Sequence, residues 1–174
     1  MKLSSPSGTK SIHIADNQHL DIWMEDFESG SREFELDIYL EGKKAQCHIQ
    51  GRLQSKDNDK KIWKIRQHFS GEEQNGSITV RGTGEDQAFI QCDAQGILEQ
   101  QSVNATANIS ERVILFDTAK SKLLPVLTVK TDKVAAASHG ATVAPVEREK
   151  ILYLQGKGLS KTEAEQMIKT GFLL

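Results

Sequence analysis

The chain has 174 residues, with 22 Lys and Arg against 24 Asp and Glu and a formal net charge of -2. That balance argues against a nucleic-acid partner, whose affinity would rest on cations meeting phosphates. A chain of this length buries a core without disulfides or metal, and no run approaches the roughly 18 apolar residues of a membrane helix. The opening Met1–Gly8 lacks the apolar segment of a signal peptide. The two cysteines, Cys47 and Cys92, lie far apart and in no metal-ligand spacing. Both features fit a reducing cytoplasm.

Residues 1–9 read as a flexible lead. From 10 to 144 the pattern is one of many short strands. Phe34, Leu36, Ile38 and Leu40 alternate with polar residues, the period of a half-buried strand. Trp63, Ile65 and Phe69 make another, interrupted by Gln67 on the same face. Ile78 and Val80 mark a third, and Val103, Ala105, Ala107 and Ile109 a fourth. Val113–Phe116 and Val126–Val129 are shorter. Segments rich in Gly, Asn, Asp and Ser separate them, at 29–31, 41–42, 57–59, 71–76 and 82–86. No helical period of useful length precedes Pro145. An all-β body follows, and the pattern leaves a sandwich and a parallel β-helix both open. No strict repeat is visible.

Residues 145–174 change character. Pro145 precedes Glu147–Gln155, a short helix in which Ile151 and Leu154 share a face. Gly156 and Gly158 end it, since glycine takes the left-handed conformation readily. Ser160 and Glu163 match a capping box that opens a second helix. Ala164, Met167 and Ile168 form its apolar stripe, with Phe172 just beyond. Leu159 is placed to staple the entry by packing on Ala164. Helices this short are marginal alone and must pack on the body or on a partner.

Few residues invite chemistry. There is no phosphate-cradling Gly-x4-Gly-Lys-Ser/Thr loop, no Gly-x-Ser-x-Gly elbow and no His-Glu-x-x-His helix. Cys47 and His48 are neighbours on a strand and so point to opposite faces, which suits a buried thiol and an exposed imidazole. Cys92, beside Ile90, reads as a small buried hydrophobe. His13, His19 and His68 read as solvated surface imidazoles. His139 differs, set in Ala136-Ala137-Ser138-His139-Gly140-Ala141-Thr142-Val143, a loop-like run of small residues at the junction of body and tail. One imidazole is not a metal site, so any metal here needs ligands from a second subunit.

A series of motifs runs through the C-terminal third: Val113–Asp117 with Ala119, Pro125–Val129, Asp132–Val134, Ser138–Val143, Tyr153-Leu154, Gly158–Ser160, Glu163-Ala164, Met167-Ile168 and Gly171-Phe172. In this order and spacing they resemble the SufB/SufD family of iron–sulfur cluster assembly scaffolds, and its SufD branch more closely. The resemblance implies a right-handed parallel β-helix over 10–144 and a helical segment over 145–174 that docks an ABC-type ATPase, SufC. Tyr153, Leu154, Leu159, Met167, Ile168 and Phe172 would belong to that docking segment. The resemblance further implies a non-enzymatic subunit, pairing with a SufB-like chain or with itself. Ser138, His139, Gly140, Ala141 and Thr142 form the motif, and His139 is the implied iron or cluster ligand, facing a thiolate of the partner. The cluster would be transient and shared, not held by this chain alone.

The chain departs from the family pattern at Ala137, where some relatives carry Cys, and at Thr128, where members often carry Glu. It is also much shorter than a full SufD. A structural or self-associating β-helix without the cluster role is the alternative. A glycan-binding β-helix is disfavoured by few aromatics and no acidic pair placed for acid–base work.

Overall fold

Strict alternation of buried and half-exposed side chains organises the body. The computed structural model describes residues 1–174. It holds β1 (Lys2–Ser4), β2 (Gly8–Ile14), β3 (His19–Asp26), β4 (Arg32–Leu40), β5 (Gln46–Ser55), β6 (Lys60–Phe69), β7 (Asn75–Gly84), β8 (Phe89–Leu98), β9 (Ala105–Leu115), β10 (Lys120–Leu123), β11 (Val126–Val129) and β12 (Val134–Pro145). Two helices follow, α1 (Arg148–Gly156) and α2 (Lys161–Leu173).

Every strand pair is parallel. One sheet runs β1-β3-β5-β7-β9-β12, the other β10-β8-β6-β4-β2, with β11 also on β8. The chain therefore changes sheet at each turn and returns one rung further on. This is a parallel β-helix of five coils, β2/β3, β4/β5, β6/β7, β8/β9 and β10–β12. It resolves the choice left open by strand pattern: a sandwich of hairpins would pair consecutive strands antiparallel. The N-terminal residues 2–4 pair with 23–25.

Stacking puts one residue of each coil above its equivalent. Ile22, Ile49, Ile78 and Ile109 form one interior column. Other columns mix sizes, as in Phe34–Trp63–Cys92, which is why no repeat shows in the sequence. Large rings are seated where the opposite sheet offers glycine. A Cβ on Gly51 would lie 2.7 Å from the Trp63 ring, and one on Gly76 would run into the Phe69 ring. Gln67, the polar break in β6, is buried, and its amide donates to the Cys47 carbonyl at 3.0 Å.

The turns stack as well. Asp57, Asp86 and Asp117 all take positive φ, of 57°, 56° and 53°. Aspartate tolerates this region better than most residues. The Asp86 carboxylate accepts from the Asp57 amide one coil away, and Asp117 does the same for Asp86. The loop expected at 82–86 is shorter than the sequence suggested, because Gly82–Gly84 end β7. The two runs Val103–Ile109 and Val113–Phe116 are joined in one strand, β9, and Val103 lies outside it.

One ion pair is wholly interior. Lys61 Nζ lies 2.8 Å from Asp26 Oδ1, with both side chains at 0% exposure. Arg32 also meets Asp26, at 2.9 Å. Burial pulls the Lys61 ammonium below its ordinary pKa, against the opposing pull of Asp26. Removing one partner would strand a buried charge. Asp26→Ala is expected to cost about 3–5 kcal/mol, read as a fall in the urea midpoint at unchanged slope.

Candidate functional site

The stretch around His139 is a strand and not a loop. It forms β12, in continuous register with β9 from Ala136 to Pro145, with an irregularity between Val134 and Ala136. The loop reading failed because small residues carry no β-periodicity. The strand is imposed by the ladder of β9 beneath it. His139 pairs with Ile109, so it ends the column Ile22–Ile49–Ile78–Ile109. Ala137, Ala141 and Val143 share that inward row. Ser138, Gly140 and Thr142 belong to the outer row, where the Ser138 hydroxyl meets Asn108 Oδ1 at 2.6 Å.

Nothing stacks on the far side of β12. It is the last strand of its sheet, and its residues from 135 to 143 are all exposed. A Cβ on Gly140 would meet no atom within 4 Å. The motif thus forms an accessible strand edge with a single imidazole. No three His, Cys, Asp or Glu side chains are grouped as a metal site.

One coil inward, the interior turns polar. Glu111 is completely buried, and neither carboxylate oxygen finds a hydrogen-bond partner. Ala141 is its register neighbour in β12. Burial raises its pKa to about 7, although the nearby Cys92 thiol and Ala94 amide pull it down. Cys92 is fully buried too, and desolvation, with Glu111 beside it, drives its pKa far up. Cys47 is likewise buried and pushed up to about 12. Its neighbour His48 is half-buried, with Nδ1 2.9 Å from Ser77 Oγ. His68 is also half-buried, stacked on Tyr39 at 4.6 Å, with His13 on the other face at 4.8 Å. His13 and His19 are exposed.

The tail is fastened to the outer face of the body. Arg52, Arg81 and Arg112 stack in one outward column, and none meets a side-chain carboxylate. Arg52 donates to the Leu174 main-chain oxygen at 3.0 Å and Arg81 to that of Phe172 at 3.4 Å. These oxygens lie at the C-terminal end of α2, where intrahelical donors run out and cations are favoured. The last turn of α2 has no basic residue of its own. Lys169 completes the fastening, 2.5 Å from Glu85 and over the Phe116 ring.

At the other end of α2 the expected capping box is present, with Ser160 Oγ accepting from the Glu163 amide. Gly158, at φ 96°, makes the left-handed turn between the helices; Gly156 is the last helical residue. The body-facing side of α2 differs from the predicted stripe. Ala164, Lys169 and Leu173 are buried, whereas Met167 is 52% exposed. Tyr153, Leu154 and Ile168 line one groove between the helices, of about 330 Å³. Leu159 and Met167 line a second, of about 590 Å³. Phe172 stands apart from both, in a cleft with Arg112 and Thr142. Leu152, Tyr153 and Met167 are the large apolar side chains that the helices expose along their length.

A family model described as the SufBD core domain of SUF system FeS cluster assembly matches residues 5–172. The chain belongs to the SufBD family. It is 32% identical over 107 residues to the iron–sulfur cluster assembly protein SufD of Bacillus subtilis, covering 61% of this chain and 24% of that one. To SufD of Plasmodium falciparum it is 26% identical over 89 residues, 51% of this chain and 6% of the other. A SufBD family protein of Mycobacterium bovis is 24% identical over 76 residues, 44% and 19%. The chain thus spans about a quarter or less of the relatives it matches.

Within this SufBD chain, the motif and the tail were legible in the sequence, whereas the strand character of the motif, Glu111 and the arginine column were not. Glu111 continues the inward row Ala105, Ala107, Ile109 and Val113. A charge at the parity of a buried row was the available signal. The arginines recur once per coil and become a column only when the register is known.

Two outcomes follow for this SufBD core. Replacing Arg52 and Arg81 together by Ala should speed amide exchange in α2 about five- to tenfold, the equivalent of losing about 1 kcal/mol, and leave β4–β8 unchanged. Glu111 has a raised folded pKa, so its contribution is fully present below the ordinary glutamate value and is lost as pH rises through about 7. Stability should therefore fall by roughly 3 kcal/mol across that window. Glu111→Gln should flatten this decline in denaturation measured from pH 5 to 8.

Proposed function

We propose that this SufBD chain is a SufD-like scaffold subunit of cytoplasmic iron–sulfur cluster assembly, with no catalysis of its own. It docks a SufC-like ATPase through its tail and pairs with a SufB-like subunit through β12. The observation that carries the reading is His139 on an open, in-register strand edge. An unpaired parallel edge is a template for another chain. A partner seated there brings its own side chains to His139. Iron accepts imidazole and thiolate together, so a thiolate from the partner would complete what His139 begins. The cluster is cargo in this scheme, formed between subunits and released when they part.

The tail supports the second half of the proposal. Its body-facing side is fastened by Arg52, Arg81 and Lys169, and Leu152, Tyr153 and Met167 are turned outward. Such apolar residues beside shallow grooves suit a protein partner. No helix is long and apolar enough to cross a membrane.

The open edge of β12 equally suits a second copy of this chain, which favours the self-associating reading as runner-up. The partners separate the two. Under ATP or ADP the chain should co-purify with a SufC-like ATPase. Leu154→Asp or Met167→Asp should cut the yield at least about tenfold, the equivalent of about 1.4 kcal/mol. Absence of any complex with the unmutated chain would sink the docking assignment. In anaerobic reconstitution with a SufB-like subunit, His139→Ala should lower the cluster's visible absorbance. Unchanged absorbance would leave the self-associating reading.

A further inference from the structure

The last coil carries a charge opposite to that of the chain. Residues 116–145 hold four lysines, Lys120, Lys122, Lys130 and Lys133, against two aspartates, Asp117 and Asp132, whereas the whole chain has a net charge of -2. All four lysines are exposed, and only Lys130 meets a carboxylate, Glu99 at 2.8 Å. Earlier coils neutralise their cations across the stack, as Lys43 does with Glu72, Lys64 with Glu35 and Arg66 with Asp37. Lys120 and Lys122 instead stack on Phe89 and Gln91, and no further coil follows to supply an acid. Arg112, on the adjoining β9, is exposed too and stacks on Arg81, a like charge. Unlike Arg52 and Arg81, it holds no main-chain oxygen of the tail.

We propose that this end of the solenoid docks a protein partner whose facing surface is acidic, and that charge closes it to a second copy of the chain. The inference rests on the reading that β12 pairs with another subunit, and it adds the chemistry of that subunit. The unpaired edge of β12 marks the occupant as a polypeptide. Its backbone suits any chain, this one included, but the charges around it do not. Two copies meeting at this end set lysines and arginines against their own kind, and like charges across an interface suppress the wrong partner. A surface bearing Asp and Glu gains from the same cations, which also steer its approach.

Arg112 fixes where one acidic side chain belongs. Arg81 lies one strand away from it on the inner side, at a spacing of about 4.8 Å, and Thr142 lies one strand away on the outer side. A carboxylate arriving over Thr142 finds a hydroxyl and a guanidinium together, a place that no carboxylate of this chain takes. Arg112 also borders a cleft of about 310 Å³ walled by Ile114, Ala144 and Phe172. Apolar walls displace water and strengthen an ion pair formed beside them. The cleft therefore suits an Asp or Glu with an apolar neighbour.

Binding of the full chain to a SufB-like subunit, measured at low and high salt, tests it. The dissociation constant should rise at least about tenfold between about 50 and about 500 mM salt, because exposed charges are screened within a Debye length. Arg112→Glu should weaken low-salt binding about tenfold, and Lys120→Glu combined with Lys122→Glu should do the same, chiefly through a slower association rate. Lys56→Glu, the same change of charge on the exposed turn between β5 and β6, should leave binding unchanged. Circular dichroism establishes that each variant is folded. The chain alone should sediment as a monomer at low salt. Binding that ignores both salt and Arg112→Glu overturns the proposal while leaving the pairing intact. A low-salt dimer of the chain joined through β12 overturns it as well. Binding at neither salt concentration overturns the pairing reading together with it.

Discussion

Each coil of a parallel β-helix satisfies the backbone of the coil before it, and the last coil has no successor. That constraint organises the molecule. In the middle of the stack, N–H and C=O groups are paired on both sides and every second side chain is sealed between two sheets. At β12 both conditions lapse together, because the ladder ends and the inward row meets solvent. Apolar side chains lose their advantage there, which accounts for the change from isoleucine to histidine at the end of one column and for the alanines on either side. The chemistry of the motif and the openness of the fold are one feature.

The same constraint makes the tail necessary as a separately fastened piece. Stacking interactions cannot hold α1 and α2, since neither continues a rung. Charges on the outer face hold α2 together with its buried Ala164 and Leu173, and α1 packs on α2. Two arginines bind the main-chain oxygens that α2 leaves free at its end, and Lys169 reaches Glu85. The contrast with Arg66 shows how local this device is. Arg66 is bound to Glu35 and Asp37 within a ladder of alternating charge and has nothing to spare. The arginines of the tail-binding column have no side-chain carboxylate to satisfy them, so the helix end does.

The sequence showed strands where the inward row is made of large aliphatic residues. β4 is visible from Phe34 to Leu40, and β11 has the bounds its valines suggest. β5, β8 and β12 are obscure for a physical reason. Their inward rows hold Gly51, Gly96 and a run of alanines: the two glycines are small because a side chain from elsewhere fills the space, and the alanines of β12 face solvent. Trp63 projects over Gly51, and Leu127 would lie 2.8 Å from a Cβ on Gly96. Volume is conserved across the coil and not along the strand, so a one-dimensional pattern cannot register it. The capping box was legible because it is local, three residues from donor to acceptor. The arginine column was not, since its members meet only after the chain has gone round.

The tail and the motif strand meet at one place. Phe172, near the end of α2, shares a cleft with Thr142 of β12 and with Arg112, the member of the arginine column that holds no carbonyl. The motif strand is tied to β9 on one side only, whereas α2 is fixed to β5 and β7 through Arg52 and Arg81. A load applied to the exposed side of the tail therefore passes either into the well-paired middle of the solenoid or through Phe172 toward a strand paired on one side only. Packed interfaces shift between discrete arrangements more easily than they deform continuously, and a strand with one neighbour loses fewer contacts by shifting than one paired on both sides. Under the proposed reading, an ATPase on the tail would act on the cluster-bearing edge through that cleft, a path set by where the stacking ends.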